Sequence, residues 1–307
     1  MPRHITFVFP GQGSQSLGML DSLPDDLVLK YKSQIIESLQ FDLIDLIKNG
    51  DIEDLNKTSI TQPAILLTSF LYYEYITNFL NIEPNLLCGH SLGEYTALLI
   101  GNSLSLQDAL SLVHKRGLLM EKCEPGSMYA ILNVNLDIIN DICNKVCKET
   151  NLIVSAANIN TPKQIVISGN DKAVELVISY LKDLGFKKKI KLKVTVPSHC
   201  KIMQKSAIEF KEIINKLPLT LPKYDLIHNR NALISTTIND LKLSLVDQLT
   251  HPVMWVNIME YVKKFNGIII ECGPGKVLSG LANGNNIKKN VYSSSSNNFL
   301  EDIKEVI

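Results

Sequence analysis

The sequence predicts an α/β protein in which a parallel sheet forms the core and a smaller unit is inserted along the chain. First, a short apolar run, Leu86–Cys88, ends in a glycine turn, and a helical pattern begins directly after it. Second, six strand and helix patterns follow one another between Met128 and Val196. Third, strand patterns typical of α/β proteins lie on both sides of that stretch, so the six elements interrupt a larger unit.

The first strand pattern is His4–Phe9, and it leads into a loop rich in glycine, Gly11–Gln15. Such a loop lets backbone N–H groups approach a ligand closely. It lacks the Gly-x-Gly-x-x-Gly spacing and the lysine of a phosphate-binding loop, so it does not predict a nucleotide site. A second glycine turn, Gly273–Lys276, lacks the same features and follows an apolar strand pattern, which indicates a strand-to-helix connection.

The glycine turn after the second strand pattern has the form Gly-x-Ser-x-Gly, with Ser91 at its apex. This turn forces the serine into a strained backbone, and Gly89 and Gly93 let strand and helix pass closely because a Cβ at either position would collide. The motif alone is common by chance, but here it joins a strand to a helix, as a nucleophile elbow requires. We therefore predict that Ser91 is a nucleophile and that the Leu92 N–H, at the helix start, stabilises a negatively charged intermediate.

The stretch after this helical region is predicted to form a small domain. Its elements are, in order, strand, helix, strand, strand, helix and strand: Met128–Val134, Leu136–Lys148, Leu152–Ile159, Gln164–Ser168, Ala173–Leu184 and Lys189–Val196. This β-α-β-β-α-β order is that of the ferredoxin-like fold, which buries one sheet face beneath two helices. We predict a small domain at 127–196 that interrupts a large domain formed by 1–126 and 197–307.

The large domain is expected to continue through three more strand patterns, Tyr224–His228, Gly267–Cys272 and Val291–Ser293. Two domains leave a cleft between them, and ligands of open α/β sheets bind outside the carboxyl ends of the strands. Because Ser91 lies at such an end, we expect it to face the cleft.

Composition argues against several classes of function. Of the 307 residues, 31 are Lys or Arg and 31 are Asp or Glu, so the net charge is zero and nothing global indicates nucleic acid or an anionic membrane as a partner. The N-terminal apolar run is too short for a signal peptide, and no segment reaches about 18 uncharged apolar residues, so we expect a cytoplasmic protein. The six cysteines lack paired spacing and companion histidines, which favours reduced, mostly buried thiols over disulfides or a zinc site.

A serine nucleophile needs a base, and position distinguishes the six histidines. His199 follows the last strand pattern of the small domain and the break Pro197-Ser198, where the chain returns to the large domain. That position is in the expected cleft and makes His199 the candidate base, whereas His4 and His90 are expected to be structural. No aspartate stands out as its partner, but a backbone carbonyl can also hold the imidazole N–H.

The helix predicted over Leu106–Met120 carries an arginine on its apolar side. At about 100° per residue, Arg116 falls inside an apolar stripe. That stripe is formed by Leu106, Ala109, Val113, Gly117 and Met120. A buried arginine needs an anionic partner, and two remain open: an internal Asp or Glu, or a carboxylate of the substrate.

Five segments combine these features in order along nearly the whole chain: Phe9–Gln15, Gly89–Tyr95, Arg116, Val196–Cys200 and Glu271–Gly275. Together they resemble the malonyl-CoA:acyl carrier protein transacylases of bacterial fatty acid synthesis. The resemblance implies an α/β hydrolase-like core with a ferredoxin-like domain, in agreement with the elements above. It also implies transfer of a malonyl group from malonyl-CoA to the phosphopantetheine thiol of acyl carrier protein, without a cofactor or a metal.

By this resemblance, Ser91 is the nucleophile and His199 its base, while the backbone amides of Gln12 and Leu92 form an oxyanion hole. The reaction would proceed by ping-pong transfer through a malonyl-serine. Two other functions use the same features. One is a serine esterase or thioesterase that releases an anionic acyl group to water, and the other is a non-catalytic scaffold that binds the carrier protein.

The resemblance also assigns two residues to substrate and base. Arg116 would hold the malonyl carboxylate, and Gln248 matches the position whose backbone carbonyl orients the histidine, which would explain the missing aspartate. A separate feature is a run of five lysines: Lys187, Lys188, Lys189, Lys191 and Lys193. The run either docks an acidic carrier protein or is a solvated strand edge that resists aggregation.

Overall fold

The computed structural model describes residues 3–194 and 196–307. The strands are β1 (Ile5–Phe9), β2 (Leu86–Gly89), β3 (Ser127–Leu132), β4 (Val154–Thr161), β5 (Gln164–Gly169), β6 (Lys189–Lys191), β7 (Asp225–Ile227), β8 (Ile268–Glu271) and β9 (Val291–Ser293). The helices before β3 are α1 (Asp25–Lys30), α2 (Lys32–Leu39), α3 (Leu43–Asn49), α4 (Ile52–Leu55), α5 (Thr58–Leu80), α6 (Gly93–Ile100) and α7 (Leu106–Glu121). Those after it are α8 (Leu136–Thr150), α9 (Asp171–Asp183), α10 (Gln204–Lys216), α11 (Ile238–Asp247), α12 (Trp255–Lys263), α13 (Val277–Gly284) and α14 (Phe299–Lys304).

Five strands form a parallel sheet in the order β7-β2-β1-β8-β9. Its central strands are mostly apolar, and every residue of β1, β2 and β8 is buried, including Thr6 and Glu271. This is the pattern of a sheet covered on both faces, because side chains on alternating sides of each strand are all removed from water. The predicted α/β core with a parallel sheet is therefore confirmed.

The other four strands form an antiparallel sheet in the order β4-β5-β3-β6. Helices α8 and α9 cover one face, where apolar residues such as Ile139, Val177 and Ile167 form a separate core. The β-α-β-β-α-β elements and their strand order are those of the ferredoxin-like fold, as the sequence predicts. The exact domain limits at 126/127 and 196/197 stay a prediction.

The last predicted strand of this unit, Lys189–Val196, is too long. The ladder covers Lys189–Lys191 only and pairs with Tyr129–Ile131 of β3. Beyond the ladder, Leu192 and Val194 still pack their side chains against the sheet, on the face that carries Met128 and Ala130. The alternation of apolar and polar residues therefore continues after the strand has ended, and this made the predicted strand too long. Thr195, within the predicted strand, lies outside the described residues.

No helix in the described ranges combines the length and the apolar character that crossing a bilayer requires.

The connection from β2 to α6 is crowded at both of its glycines. A Cβ on Gly89 would overlap the backbone of Gly93, and a Cβ on Gly93 would overlap the carbonyl of Phe9 in β1. Strand, helix and neighbouring strand therefore approach more closely than any side chain allows. This contact determines where the residue at the apex of the turn lies relative to the sheet.

We expect Gly89→Ala to destabilise the protein by more than about 3 kcal/mol, because backbone atoms must move to admit the new methyl group. Gly280→Ala is the matched control: a Cβ there has no atom within 4 Å, and the residue lies on an exposed part of α13. Replacing a helical glycine by alanine should stabilise by roughly 0.5–1 kcal/mol. Urea unfolding of both variants tests the pair, and equal stabilities would contradict the crowding at the turn.

Candidate active site

Ser91 occupies the turn between β2 and α6 with a φ of 52°, a left-handed conformation that is uncommon for serine. Its Oγ lies 2.8 Å from Nε2 of His199. Its backbone is held on both sides: the N–H donates to Oδ1 of Asn229 at 2.6 Å, and the carbonyl accepts from Nε2 of Gln248 at 3.0 Å. The hydroxyl is thus aimed at the imidazole by contacts of the main chain as well as of the side chain.

His199 lies between the antiparallel sheet and α10 and is only 3% exposed. Its Nδ1 is 2.7 Å from the backbone carbonyl of Gln248. A carbonyl oxygen can only accept, so Nδ1 carries the proton and Nε2 presents its lone pair to the Ser91 hydroxyl. The arrangement is that of a nucleophile and a base in which a carbonyl replaces the usual carboxylate.

The imidazole is held in its neutral form. Burial, followed by the positive charge of Arg116, lowers the pKa of His199 from its usual 6.5 to about 3. A neutral imidazole at Nε2 can accept the serine proton over the whole physiological pH range.

Arg116 lies on α7 with only 1% of its surface exposed, as its place in the apolar stripe predicts. Helix α7 crosses α5 so closely that a Cβ on Gly117 would overlap the backbone of Ser59. This crossing brings Nη1 of Arg116 to Oε1 of Gln62 at 2.9 Å, and Nη2 reaches Oε1 of Gln248 at 2.9 Å. The guanidinium carbon also lies 5.1 Å from the centre of the Tyr95 ring.

These partners of Arg116 are neutral. No carboxylate in residues 3–194 and 196–307 lies within 4 Å of the guanidinium, so the internal Asp or Glu considered from the sequence is not found. Its Nε is buried and has no hydrogen-bond partner in that part of the chain. A buried cation without a carboxylate partner, linked through Gln248 to the Ser91 backbone, is able to bind an anion.

Leu92 is part of the turn, and Gln12 lies in the loop that packs against it. Gly11 packs against the turn, since a Cβ on it would be 2.6 Å from the His90 carbonyl, and Gln12 follows directly. Leu92 precedes the first residue of α6, where backbone N–H groups have no partner within the helix. Neither backbone N–H donates a hydrogen bond to any described residue, although the side-chain amide of Gln12 donates to Oγ1 of Thr58. Both backbone N–H groups are therefore available to an oxygen at the site.

Gln248 follows the last residue of α11, is fully buried, and connects the parts of this site. Its carbonyl holds His199, its side-chain oxygen accepts from Arg116, and its side-chain nitrogen donates to the Ser91 carbonyl. The sequence predicts only the first of these contacts. The side chain adds a direct link between the arginine and the serine backbone.

A cavity of about 650 Å³ lies next to these residues, between the antiparallel sheet and the loops of the parallel sheet. Gln12 and His90 line one side, and Val166 and Leu192 line the other. His90 donates from Nε2 to Oδ1 of Asn160 at 2.8 Å, and burial lowers its pKa. The expected cleft between the two units is thus present beside the turn that carries Ser91.

In the described ranges, no group of three His, Cys, Asp or Glu side chains is placed to hold a metal ion. The six cysteines are free thiols, of which Cys88, Cys143, Cys200 and Cys272 are buried.

A family model described as "Acyl transferase domain" matches residues 6–265. The chain belongs to the acyl transferase family. A relative named Malonyl CoA-acyl carrier protein transacylase, from Haemophilus influenzae, is 37% identical over 287 residues, which cover 91% of each chain. The solved malonyl CoA-acyl carrier protein transacylase of Coxiella burnetii has a TM-score of 0.95 and 34% identity, and it covers 100% of this chain and 98% of its own.

A malonyl-transacylase solved in complex with its type II PKS acyl-carrier protein is also similar, with a TM-score of 0.91 and 33% identity over 97% of this chain and 99% of its own. The resemblance to malonyl-CoA:acyl carrier protein transacylases, inferred above from five segments of the sequence, is thereby confirmed. The roles of the individual residues in this acyl transferase stay predictions.

Three residues around the site were not predicted from the sequence: Gln62, Glu94 and Asn229. Two of them had a signal of the kind that identified Arg116. Gln62 is a buried polar residue directly before the apolar run Pro63–Leu67, and Glu94 is the one charged residue of the buried helix α6. Asn229 lies in a loop after β7 and has no such local signal.

If His199 is the base in this acyl transferase, kcat/KM for acylation of Ser91 should stay level from pH 8 to below pH 6. The lowered pKa keeps the imidazole neutral there, whereas a base with the ordinary value of about 6.5 would lose about tenfold in rate per pH unit below it. Single-turnover acylation measured by mass spectrometry between pH 5 and 8 tests this. An inflection at pH 6.5 or above would contradict a buried, neutral base.

Proposed function

We propose that this acyl transferase moves the malonyl group of malonyl-CoA to the phosphopantetheine thiol of an acyl carrier protein, in fatty acid synthesis. The names of its relatives support both substrates. The observation that carries the proposal is the buried Arg116, whose partners are neutral and which shares Gln248 with Ser91 and His199. A free carboxylate on the acyl group supplies the anion that this cation lacks.

In the first half-reaction, Nε2 of His199 takes the proton of the Ser91 hydroxyl, and Oγ attacks the thioester carbonyl. The amides of Gln12 and Leu92 donate to the oxygen that becomes negative. Collapse of the intermediate breaks the carbon–sulfur bond, and the imidazolium returns its proton to the departing coenzyme A thiolate. The product is malonyl-Ser91 with a neutral His199.

In the second half-reaction, His199 takes the proton of the carrier's phosphopantetheine thiol, and the thiolate attacks the serine ester. Ser91 leaves and recovers the proton from His199. One thioester replaces another, so the overall transfer is nearly isoenergetic and its direction follows the concentrations. All of these steps use side chains and amides of the chain itself.

The malonyl carboxylate is the part of the acyl group that Arg116 recognises. The planar guanidinium pairs with a carboxylate through two parallel hydrogen bonds, and Nε is the donor without a partner among the described residues. Gln62 and Gln248 hold the guanidinium in place without neutralising it. The expected cytoplasmic location of the reaction is part of this proposal, as are the domain limits at 126/127 and 196/197.

Exposure to malonyl-CoA should add one malonyl group to the protein, on Ser91. Intact mass followed by peptide mapping tests this, and recovery of the group on Cys200 or on no residue would overturn the proposal. His199→Ala should slow acylation by about 10²- to 10⁴-fold, the usual contribution of a general base. Adding a phosphopantetheinylated carrier separates the rivals, because a transferase yields malonyl-carrier, a thioesterase yields free malonate, and a scaffold yields neither.

Arg116→Ala should lower kcat/KM for malonyl-CoA by about 10²- to 10³-fold or more, while acetyl-CoA, which has no carboxylate, should lose little or gain. Gln62→Glu is a second variant that keeps the arginine but gives it an internal carboxylate, and it should also lower the malonyl-to-acetyl ratio. The ratio is measured for both variants beside thermal melts. If kcat/KM falls equally for malonyl-CoA and acetyl-CoA and Tm is lower, Arg116 stabilises the fold and does not recognise the carboxylate.

The five lysines of the run at 187–193 are all exposed. They lie on and around β6, an edge strand, and Ile190 and Leu192 between them line the cavity. The run therefore adjoins the opening through which a phosphopantetheine arm would enter, which supports docking of an acidic carrier. Protection of the edge strand accounts for the same lysines without a partner.

Reversing Lys189 and Lys191 to Glu should raise KM for the carrier and weaken its salt dependence. Lys148→Glu with Lys172→Glu is the matched control, since both lysines are exposed on α8 and α9, the helices on the opposite face of the sheet from the cavity. If both pairs give the same carrier kinetics at low and high salt, the edge explanation is the correct one.

A further inference from the structure

Glu94 is a fully buried carboxylate three residues after Ser91, in the first turn of α6. It accepts three hydrogen bonds from the chain. Nδ1 of His228 lies 2.6 Å from Oε1, while the Asn229 N–H at 3.0 Å and Nε2 of Gln248 at 2.7 Å both reach Oε2. The reaction steps above make no use of this carboxylate.

Two of these donors belong to Asn229 and Gln248, the residues whose side chains hold the backbone of Ser91. Asn229 accepts the Ser91 N–H and donates from Nδ2 to the Gly89 carbonyl, and Gln248 donates to the Ser91 carbonyl. Ser91 is in a left-handed conformation, which costs of order 1–3 kcal/mol and persists only where the surroundings over-determine it. The Glu94 carboxylate thus binds both residues, Asn229 and Gln248, that hold the strained backbone of Ser91.

Glu94, together with the Ser91 carbonyl, also determines which way the Gln248 amide points. A carboxylate oxygen only accepts, so Gln248 must turn its NH₂ group toward Glu94, and its oxygen then faces Arg116. With the amide reversed, an NH₂ group would face the guanidinium, and two donors would oppose each other. The position of Arg116 therefore depends on Glu94 through a single side chain.

We propose that Glu94, held by His228, is a positioning residue of the transfer reaction: it fixes Asn229 and Gln248, and through them both the Ser91 nucleophile and the Arg116 anion site. His228 is 2% exposed, and its Nε2 lies 2.7 Å from Oγ of Ser235, so the ring is held at both nitrogens. This inference rests on the proposed function for the nature of the anion, but the effect of Glu94 on Ser91 does not depend on which acyl group is transferred.

Glu94→Gln keeps the shape of the side chain but carries no charge and has one acceptor oxygen instead of two, so it loses one acceptor and makes the remaining hydrogen bonds as weaker neutral ones. We expect it to lower the rate constant of Ser91 acylation at saturating malonyl-CoA by at least tenfold, with Tm nearly unchanged. Glu271→Gln is the matched control, because Glu271 is an equally buried carboxylate that caps α13 through Leu278 and Ser279. It should lower Tm and leave the acylation rate constant within twofold.

A double-mutant cycle separates positioning from a purely structural role. Gln248→Ala retains the backbone carbonyl that holds His199 but removes the side chain through which Glu94 acts. In that background Glu94→Gln should cost clearly less than it does in the wild-type protein. Three outcomes would each overturn the inference. The rate losses of Glu94→Gln and Gln248→Ala could multiply in the double mutant, Glu94→Gln could acylate Ser91 at the wild-type rate, or its loss of rate could be accompanied by a lower Tm like that expected for Glu271→Gln.

Labelling of Ser91 by a fluorophosphonate distinguishes this outcome from failure of the proposed function. The probe reports the reactivity of the serine without malonyl-CoA. If wild-type protein takes the label but no malonyl group, the proposed substrate is wrong, and the ratio of labelling rates between wild type and Glu94→Gln still decides the inference. A labelling rate at least tenfold lower in Glu94→Gln supports it, and equal rates overturn it.

Discussion

The Arg116 guanidinium is a buried positive charge that no carboxylate of the described residues neutralises, and the other features of the site are arranged around it. An unpaired charge is costly in an interior, yet its neighbours here are two glutamine oxygens and an aromatic ring. Burial is the larger cause of the lowered pKa of His199, and the same positive charge adds to it, so this cation both leaves room for an anion and helps to keep the imidazole neutral. Under the proposed function, the missing anion arrives with the substrate.

Holding the nucleophile has its own physical requirement. Ser91 and His199 both have φ in the left-handed region, at 52° and 61°, which residues other than glycine adopt in only a few per cent of cases. Crowding at Gly89 and Gly93 leaves the turn no room to relax, the Ser91 N–H donates to Asn229, and the Ser91 carbonyl accepts from Gln248. Rigidity at this point is useful because a nucleophile displaced by about 1 Å loses much of its rate. The hydrogen bonds around Ser91 therefore hold it in the strained conformation that the turn imposes.

The two sheets contribute different parts of the same site. The parallel sheet supplies the turn with Ser91 and the loop with Gln12, both at the carboxyl ends of strands. The antiparallel sheet supplies the opposite wall of the cavity and leads into the segment that carries His199. Its outer edge, β6, presents exposed lysines beside the same cavity. A ligand that reaches Ser91 is therefore enclosed by residues from both units.

Local patterns in the sequence were sufficient for the strands of both sheets, for the serine turn and for the burial of Arg116, because alternation, helical periodicity and glycine spacing are properties of neighbouring residues. They failed at the end of β6, where one-sided packing continues after the ladder stops. They also left the partner of Arg116 undecided. Only the tertiary structure decided it, since Gln62 and Gln248 lie 54 and 132 residues away along the chain, and Asn229 lies 138 residues from Ser91. Contacts over such separations are set by how helices and loops pack, and no local pattern encodes them.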